Sequence, residues 1–187
     1  MTVSLPYKIL ETARTRLRPL SSEDAEAMFE LYSDPETMKY WSSEPVTDIA
    51  GAQKLVQADI DWVKGENALL WAVTLPPSDK VLGKCVLFQL NHQNRRAELG
   101  YVINRSQWGQ GLMTEVLEAV IPYAFESLNL HRIEVDTDPE NVGSLRMLDK
   151  LGFRSEGLFK DRWFVHGQWH DSAMLALLKP EWQNRLI

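Results

Sequence analysis

Gln107-Trp108-Gly109-Gln110-Gly111-Leu112-Met113-Thr114-Glu115 reads as a glycine-rich loop that turns directly into a helix. Gly109 and Gly111 lack a Cβ, so the backbone there can take positive φ and approach a ligand closely. The amides that follow leave the first helical turn without intrahelical partners, and together with the helix dipole they favour an anion. Ahead of the loop, Ala97-Glu98-Leu99-Gly100-Tyr101-Val102-Ile103 has the look of a strand, giving the order strand, loop, helix. The spacing fits neither common nucleotide loop. A P-loop needs Lys and then Ser or Thr where Leu112 and Met113 stand, and the dinucleotide fingerprint needs a third glycine where Thr114 stands. Taken alone, the loop is equally a glycine turn leading into a core helix.

On both sides of this loop the chain alternates helical and strand periods. Thr15 to Leu20 alternates polar and apolar until Pro19 stops it, Ser21 or Ser22 caps a helix through Tyr32, and Asp34-Pro35-Glu36 opens another short turn. Tyr40 to Pro45 is a loop carrying Trp41. Thr47 or Asp48 then caps a helix to about Val63, with Ala52, Leu55, Val56, Ile60 and Val63 on its buried side. Three strand-like runs follow, Leu69 to Leu75, Val81 to Leu90 and Ala97 to Ile103, as an antiparallel meander. The helix after the glycine loop is expected to reach Leu128 and to bend near Glu118 to Pro122, because proline removes a hydrogen bond and crowds the preceding turn. Beyond it come a strand at Arg132 to Thr137, a helix from Val142 to Leu151 stopped by Gly152, and two long strands joined at His166-Gly167-Gln168.

The 187 residues, 44% of them hydrophobic, are expected to form one domain spanning residues 1–187, with a core that needs no disulfide staples. The single cysteine, Cys85, lies in an apolar strand and is expected to be a buried hydrophobe. No apolar run is long enough for a signal peptide or a membrane span, so a cytoplasmic location away from membranes is expected. A net charge of −6 argues against nucleic acid as a partner. His166 and His170 have the spacing of helical metal ligands but flank a turn with no third ligand nearby, and no metal is expected.

Trp108-Gly109-Gln110-Gly111, Asp138-Pro139-Glu140-Asn141 with Ser144, and Leu151-Gly152-Phe153 together resemble the GNAT superfamily of acetyl-CoA-dependent N-acetyltransferases. Thr15 to Leu20, Ala97 to Tyr101 and Gly167-Gln168-Trp169-His170-Asp171 are most similar to its ribosomal-protein N-terminal acetyltransferase (RimJ/RimL-like) branch. The resemblance implies an α/β (α+β) fold, with a mixed, mostly antiparallel sheet of about seven strands splayed between Ala97 to Ile103 and Arg132 to Thr137 and helices on both faces. It implies acetyl-CoA as co-substrate, with pantetheine along the backbone of Tyr101, Val102 and Ile103 and the diphosphate on Trp108, Gly109, Gln110, Gly111, Leu112, Met113 and Thr114. Met113 is bulkier than the Gly or Ala of the superfamily pattern and is expected to tighten the approach to the diphosphate. Oligomeric state is left open.

Transfer to a primary amine requires the neutral amine, whose pKa is ~8 at a protein N-terminus against ~10.4 for lysine. The resemblance assigns the base to Glu98, acting through water; a salt-bridged strand glutamate is the alternative. It assigns the donor to the departing thiolate to Ser144, since Leu148 stands where many members carry a tyrosine; a helix serine bonded to its own backbone is the alternative. Asn141 either touches CoA or only caps its helix. Trp41, Trp163 and Phe164 are expected to line the acceptor mouth, or else to pack. A protein N-terminus is the expected acceptor, with a small molecule or polyamine as a second reading and a non-catalytic CoA-binding module as a third.

Overall fold

The computed structural model describes residues 7–65, 68–165 and 167–185. Two short strands, β1 (Leu10–Glu11) and β2 (Arg16–Arg18), form the first edge of the sheet. A 3-10 turn at Ser22–Asp24 leads into α1 (Ala25–Tyr32), followed by α2 (Pro35–Met38) and α3 (Ile49–Lys64). Asp34 caps α2 by accepting from the amides of Glu36 and Thr37, and Asp48 caps α3 by accepting from the amide of Gly51. The meander is β3 (Ala68–Thr74), β4 (Val81–Asn91) and β5 (Arg96–Ile103), and the glycine loop then feeds α4 (Leu112–Pro122). β6 (Arg132–Thr137), α5 (Val142–Leu151), β7 (Arg154–Val165), β8 (Gln168–Leu178) and α6 (Lys179–Asn184) complete the described chain.

The eight strands form one sheet in the order β1-β2-β3-β4-β5-β6-β8-β7, antiparallel except between β5 and β6. That is one strand more than the expected seven, because β1 is too short to show a period. Alternation divides the sheet into two faces. Leu17, Trp71, Cys85, Leu87, Leu99, Ile133 and Val135 pack against α4 on one face, in a core that also takes in Leu148 of α5 and Trp182 of α6. On the other face Ala72, Val81 and Val102 meet Met28, Leu31 and Tyr32 of α1 and Val56 of α3. Burial pushes the Cys85 thiol well above its ordinary pKa, and the residue sits in the first core as a hydrophobe.

Two expectations need correction. Leu55 is exposed rather than buried, because α3 packs through Ala52 and Val56 and its remaining apolar residues lie at the margin of a narrow stripe. The helix expected to bend near Glu118 to Pro122 and run on to Leu128 is regular only as far as Pro122. Residues Tyr123–Ser127 continue it as a π turn, in which the amide of Leu128 reaches the carbonyl of Tyr123 at 3.2 Å. A residue with no amide hydrogen leaves the regular ladder a donor short, and the wider turn takes up that mismatch.

Candidate active site

Pairing between β5 and β6 is confined to Arg96↔Arg132, Ala97↔Ile133 and Glu98↔Glu134, although β5 runs on to Ile103 and β6 to Thr137. Beyond Glu98 and Glu134 the two parallel strands diverge, and one edge of each is left facing a gap. The other edge of β5 is occupied by β4, where Gly83↔Ile103, Lys84↔Val102 and Cys85↔Tyr101 continue the ladder and the amide of Asn104 reaches the carbonyl of Leu82 at 2.7 Å. Since alternate residues turn their backbone to opposite sides, Tyr101 and Ile103 face the gap and Val102 faces β4. An extended amide chain entering the gap would therefore meet Tyr101 and Ile103, with Val102 between them.

The gap ends at the glycine loop. Trp108 is half exposed and its indole N–H donates to the Ile103 carbonyl at 2.8 Å, which ties the loop to the end of β5. Gly109 and Gly111 have φ of 72° and 73°, and a Cβ at Gly109 would meet nothing within 4 Å. The Gln110 carbonyl is turned away to Arg14 at 3.0 Å, and its side-chain amide donates to the Ser106 carbonyl. No side chain caps α4, and its first helical bond, from the Glu115 amide to the Gly111 carbonyl at 3.1 Å, comes after the amides of Leu112, Met113 and Thr114. This uncapped, glycine-lined turn fits a diphosphate on backbone amides. Met113 does not crowd it, because its side chain is 7% exposed and belongs to the core. Arg14 is a contributor that the sequence reading missed. It clamps Glu115 at 2.6 Å while holding the loop carbonyl.

Ser144 lies in the first turn of α5, 8% exposed, with its amide donating to the Asn141 side chain at 3.1 Å. Asn141 is thus the helix cap. The Ser144 hydroxyl is 2.5 Å from the Tyr101 hydroxyl, across the space between β5 and α5. Burial raises the Tyr101 phenol well above its ordinary pKa even though the Ser144 bond opposes this, so Tyr101 keeps its proton at neutral pH. The sequence offered one signal for this pair. Leu148, at the family's tyrosine position, is fully buried and has no hydroxyl to give, and Tyr101 alternates onto the same face as Ser144.

Glu98 points to the opposite face. Its carboxylate accepts from the Gln89 side chain at 3.0 Å, and its pKa is pushed up to about 6, first by burial and then by the carboxylates of Asp136 and Glu134, against Arg162 and Arg96. Glu134 is bracketed by Arg96 and Arg132, each at 2.6 Å. A carboxyl with a pKa near 6 is largely ionised at neutral pH and can take a proton from an amine.

The three candidate acceptor residues do not form one cluster. Trp41 packs at the α1 to α3 face, its ring 5.8 Å from the buried ammonium of Lys84. Lys84 is on β4, four strands from β7 in the sheet order, with the splay between them. Trp163 shares Glu98's face and donates to Asp136 at 3.4 Å, whereas Phe164 turns to the other face and packs on Trp169 with ring centroids 5.1 Å apart. His170 sits 3.7 Å from Asp138; His166 lies outside the described residues. Among the described residues no group of three or more His, Cys, Asp or Glu is placed to hold a metal, and no helix is long and apolar enough to cross a membrane.

Comparison with known proteins places this geometry in a family. Residues 14–154 match the model of the acetyltransferase (GNAT) domain. An uncharacterized N-acetyltransferase p20 of Bacillus licheniformis is 37% identical over 92% of this chain and 97% of its own. The [ribosomal protein uS5]-alanine N-acetyltransferase of Escherichia coli is 30% identical, covering 96% and 95%, and the spermidine N(1)-acetyltransferase of the same species is 28% identical, covering 89% and 87%. Mycobacterium smegmatis RimJ, solved in complex with CoA-disulfide, superposes with a TM-score of 0.83 at 25% identity over 93% of this chain and 88% of that one. A splayed sheet ending in an uncapped glycine turn, with a family match over most of the chain, makes this protein a member of the GNAT acetyltransferase family and an N-acetyltransferase that uses acetyl-CoA.

Proposed function

We propose that this chain is a protein N-terminal acetyltransferase of the RimJ/RimL-like branch, moving acetyl from acetyl-CoA directly to an α-amine. The observation that carries the reading is Glu98, whose pKa is pushed up to about 6. An α-ammonium near ~8 lies about two units above it, whereas a lysine or polyamine ammonium near ~10.4 lies more than four units above. The smaller gap is within reach of a single glutamate base at neutral pH, and the 30% identity to the uS5-alanine enzyme of E. coli agrees with it.

Acetyl-CoA supplies an acetyl group activated as a thioester, whose C–S bond breaks as the new N–C bond forms. Glu98 takes the proton that leaves the amine. Ser144 gives a proton to the departing sulfur and takes one from the Tyr101 hydroxyl bonded to it, and Tyr101 regains its proton from solvent as Glu98 releases the amine's proton to solvent. Tyr101 and Ile103 hold the extended arm by backbone pairing, and Gly109 to Thr114 hold the diphosphate. Trp163 borders the acceptor on Glu98's face.

A polyamine acceptor is the second reading, favoured by the carboxylates of Glu98, Glu134 and Asp136 on one face and by the 28% identity to the spermidine enzyme. CoA release with acetyl-CoA and, separately, a tetrapeptide with a free N-terminus, its N-blocked lysine analogue and spermidine separates the readings. The proposal expects the free peptide to have the highest kcat/KM. Preference for spermidine would overturn it in favour of the second reading.

A further inference from the structure

We propose that Asp136 is a positioning residue for acetyl transfer, which acts across the splay on Glu98 and holds Arg162 and Trp163 against the acceptor face. The inference rests on Glu98 being the base. Glu98 is in register with Glu134, and Asp136 is two residues further along β6 on the same side, roughly 7 Å away along the strand, where β5 and β6 have already parted.

The surroundings of Asp136 are built. Its side chain is 9% exposed and accepts from the Ser172 hydroxyl and the Trp163 indole, with the Arg162 guanidinium 3.6 Å away. Arg162 and Trp163 reach it because β7 carries a bulge: Phe159 pairs with Ser172 and Trp163 with His170, which leaves Lys160, Asp161 and Arg162 opposite Asp171 alone. Asp171 pins the bulge, accepting from the Lys160 ammonium at 2.6 Å and the Asp161 amide at 3.0 Å, with Asp161 at φ 49°. A bulge of this kind re-aims side chains. Here Arg162 is directed onto Asp136, its guanidinium 5.2 Å from the Phe159 ring and 5.6 Å from that of Trp163.

The charges facing Glu98 are Arg96 on its own strand, Glu134 and Asp136 on β6, and Arg162 on β7, with the neutral Gln89 amide on β4. Glu134 is neutralised by two close arginines, whereas Asp136 has neutral donors and one looser cation. Asp136 is therefore the carboxylate whose field Glu98 feels most, and Arg162 opposes it. Together they set how readily Glu98 takes up a proton.

Profiles of kcat/KM against pH for wild type, Asp136→Asn, Arg162→Gln and Glu98→Gln test this, with melting temperatures checking the fold. Asparagine keeps an acceptor for Ser172 and Trp163, and Arg162 is exposed enough for its replacement to fold. The acidic limb should move down by roughly half a pH unit or more in Asp136→Asn and move up in Arg162→Gln. An unmoved limb in a folded Asp136→Asn, or shifts of both variants in one direction, overturns the proposal while leaving Glu98 as base. If Asp136→Asn does not fold, an unmoved or lowered limb in Arg162→Gln overturns it. A limb that survives in Glu98→Gln overturns the base assignment instead.

Discussion

At Ser144 and Tyr101 two hydroxyls lie 2.5 Å apart, the first buried and the second partly buried, where the proposed mechanism needs a proton for the leaving thiolate. Ser144→Ala should lower kcat roughly tenfold, a modest loss because a thiolate leaves readily, and Tyr101→Phe should lower it by a similar factor. In the double variant the losses should not multiply, since the two groups form one relay; steady-state kinetics of the cycle measures this. Glu98→Gln should cost ~10² to 10⁴ in kcat/KM. For wild type the rate should fall as pH drops through about 6, because protonating Glu98 removes the base. Sequence motifs pointed to Ser144 and Glu98 because a family pattern marks their positions. They did not point to the Tyr101 hydroxyl or to Asp136, whose roles depend on which residues alternation and the splay bring to one face. β6 carries a hint of the second, with Arg132, Glu134 and Asp136 polar on one side and Ile133 and Val135 buried on the other.

Among the elements, the splay and the first turn of α4 matter most. Gly83 lies where β4 supports the end of β5, and a Cβ there would stand 2.4 Å from the Val102 carbonyl. Gly83→Ala should therefore destabilise the fold by ~1 to 3 kcal/mol in chemical denaturation, and it should raise the KM for acetyl-CoA by displacing Tyr101 and Ile103. Gly111→Ala meets no close atom but holds φ at 73°, which an alanine tolerates at a cost of ~1 kcal/mol. Its main effect should be on the KM for acetyl-CoA, read from initial rates. Most of these elements were legible because caps, glycines and periods mark them: Asp48 and Asn141 sit where caps were expected, and Gly152 ends α5 at φ 94°. The parting of β5 from β6 has no local signature, since both strands keep their alternation beyond Glu98 and Glu134. Nor did Pro122 announce a π turn rather than a bend, because a missing donor can be accommodated in either way.

Across the whole molecule the two faces of the sheet divide the work, with Tyr101 and Ser144 on the α4 and α5 face and Glu98 with Asp136 on the other. Buried ion pairs hold the second face and the sheet edge. Lys84 bonds Asp59 at 2.7 Å under the Tyr32 and Trp41 rings, and Asp59→Ala should cost ~3 kcal/mol by stranding the ammonium. Asp24 takes both guanidinium nitrogens of Arg18, at 2.7 and 2.8 Å. Burial raises its pKa, but the bonds from Arg18 and from the Ser21 amide outweigh burial and leave it lowered. A lowered folded pKa means that this pair contributes stability above the unfolded value of ~3.9 and loses it as pH falls through the folded value, so Arg18→Met should flatten the acid limb of a melting curve. The chemistry converges on one acceptor atom, and the most direct measurement offers both kinds of amine in one molecule. A peptide with a free N-terminus and an internal lysine, incubated with this protein and acetyl-CoA and sequenced by fragmentation mass spectrometry, should carry acetyl on the α-amine. Acetyl on the lysine side chain would contradict the account.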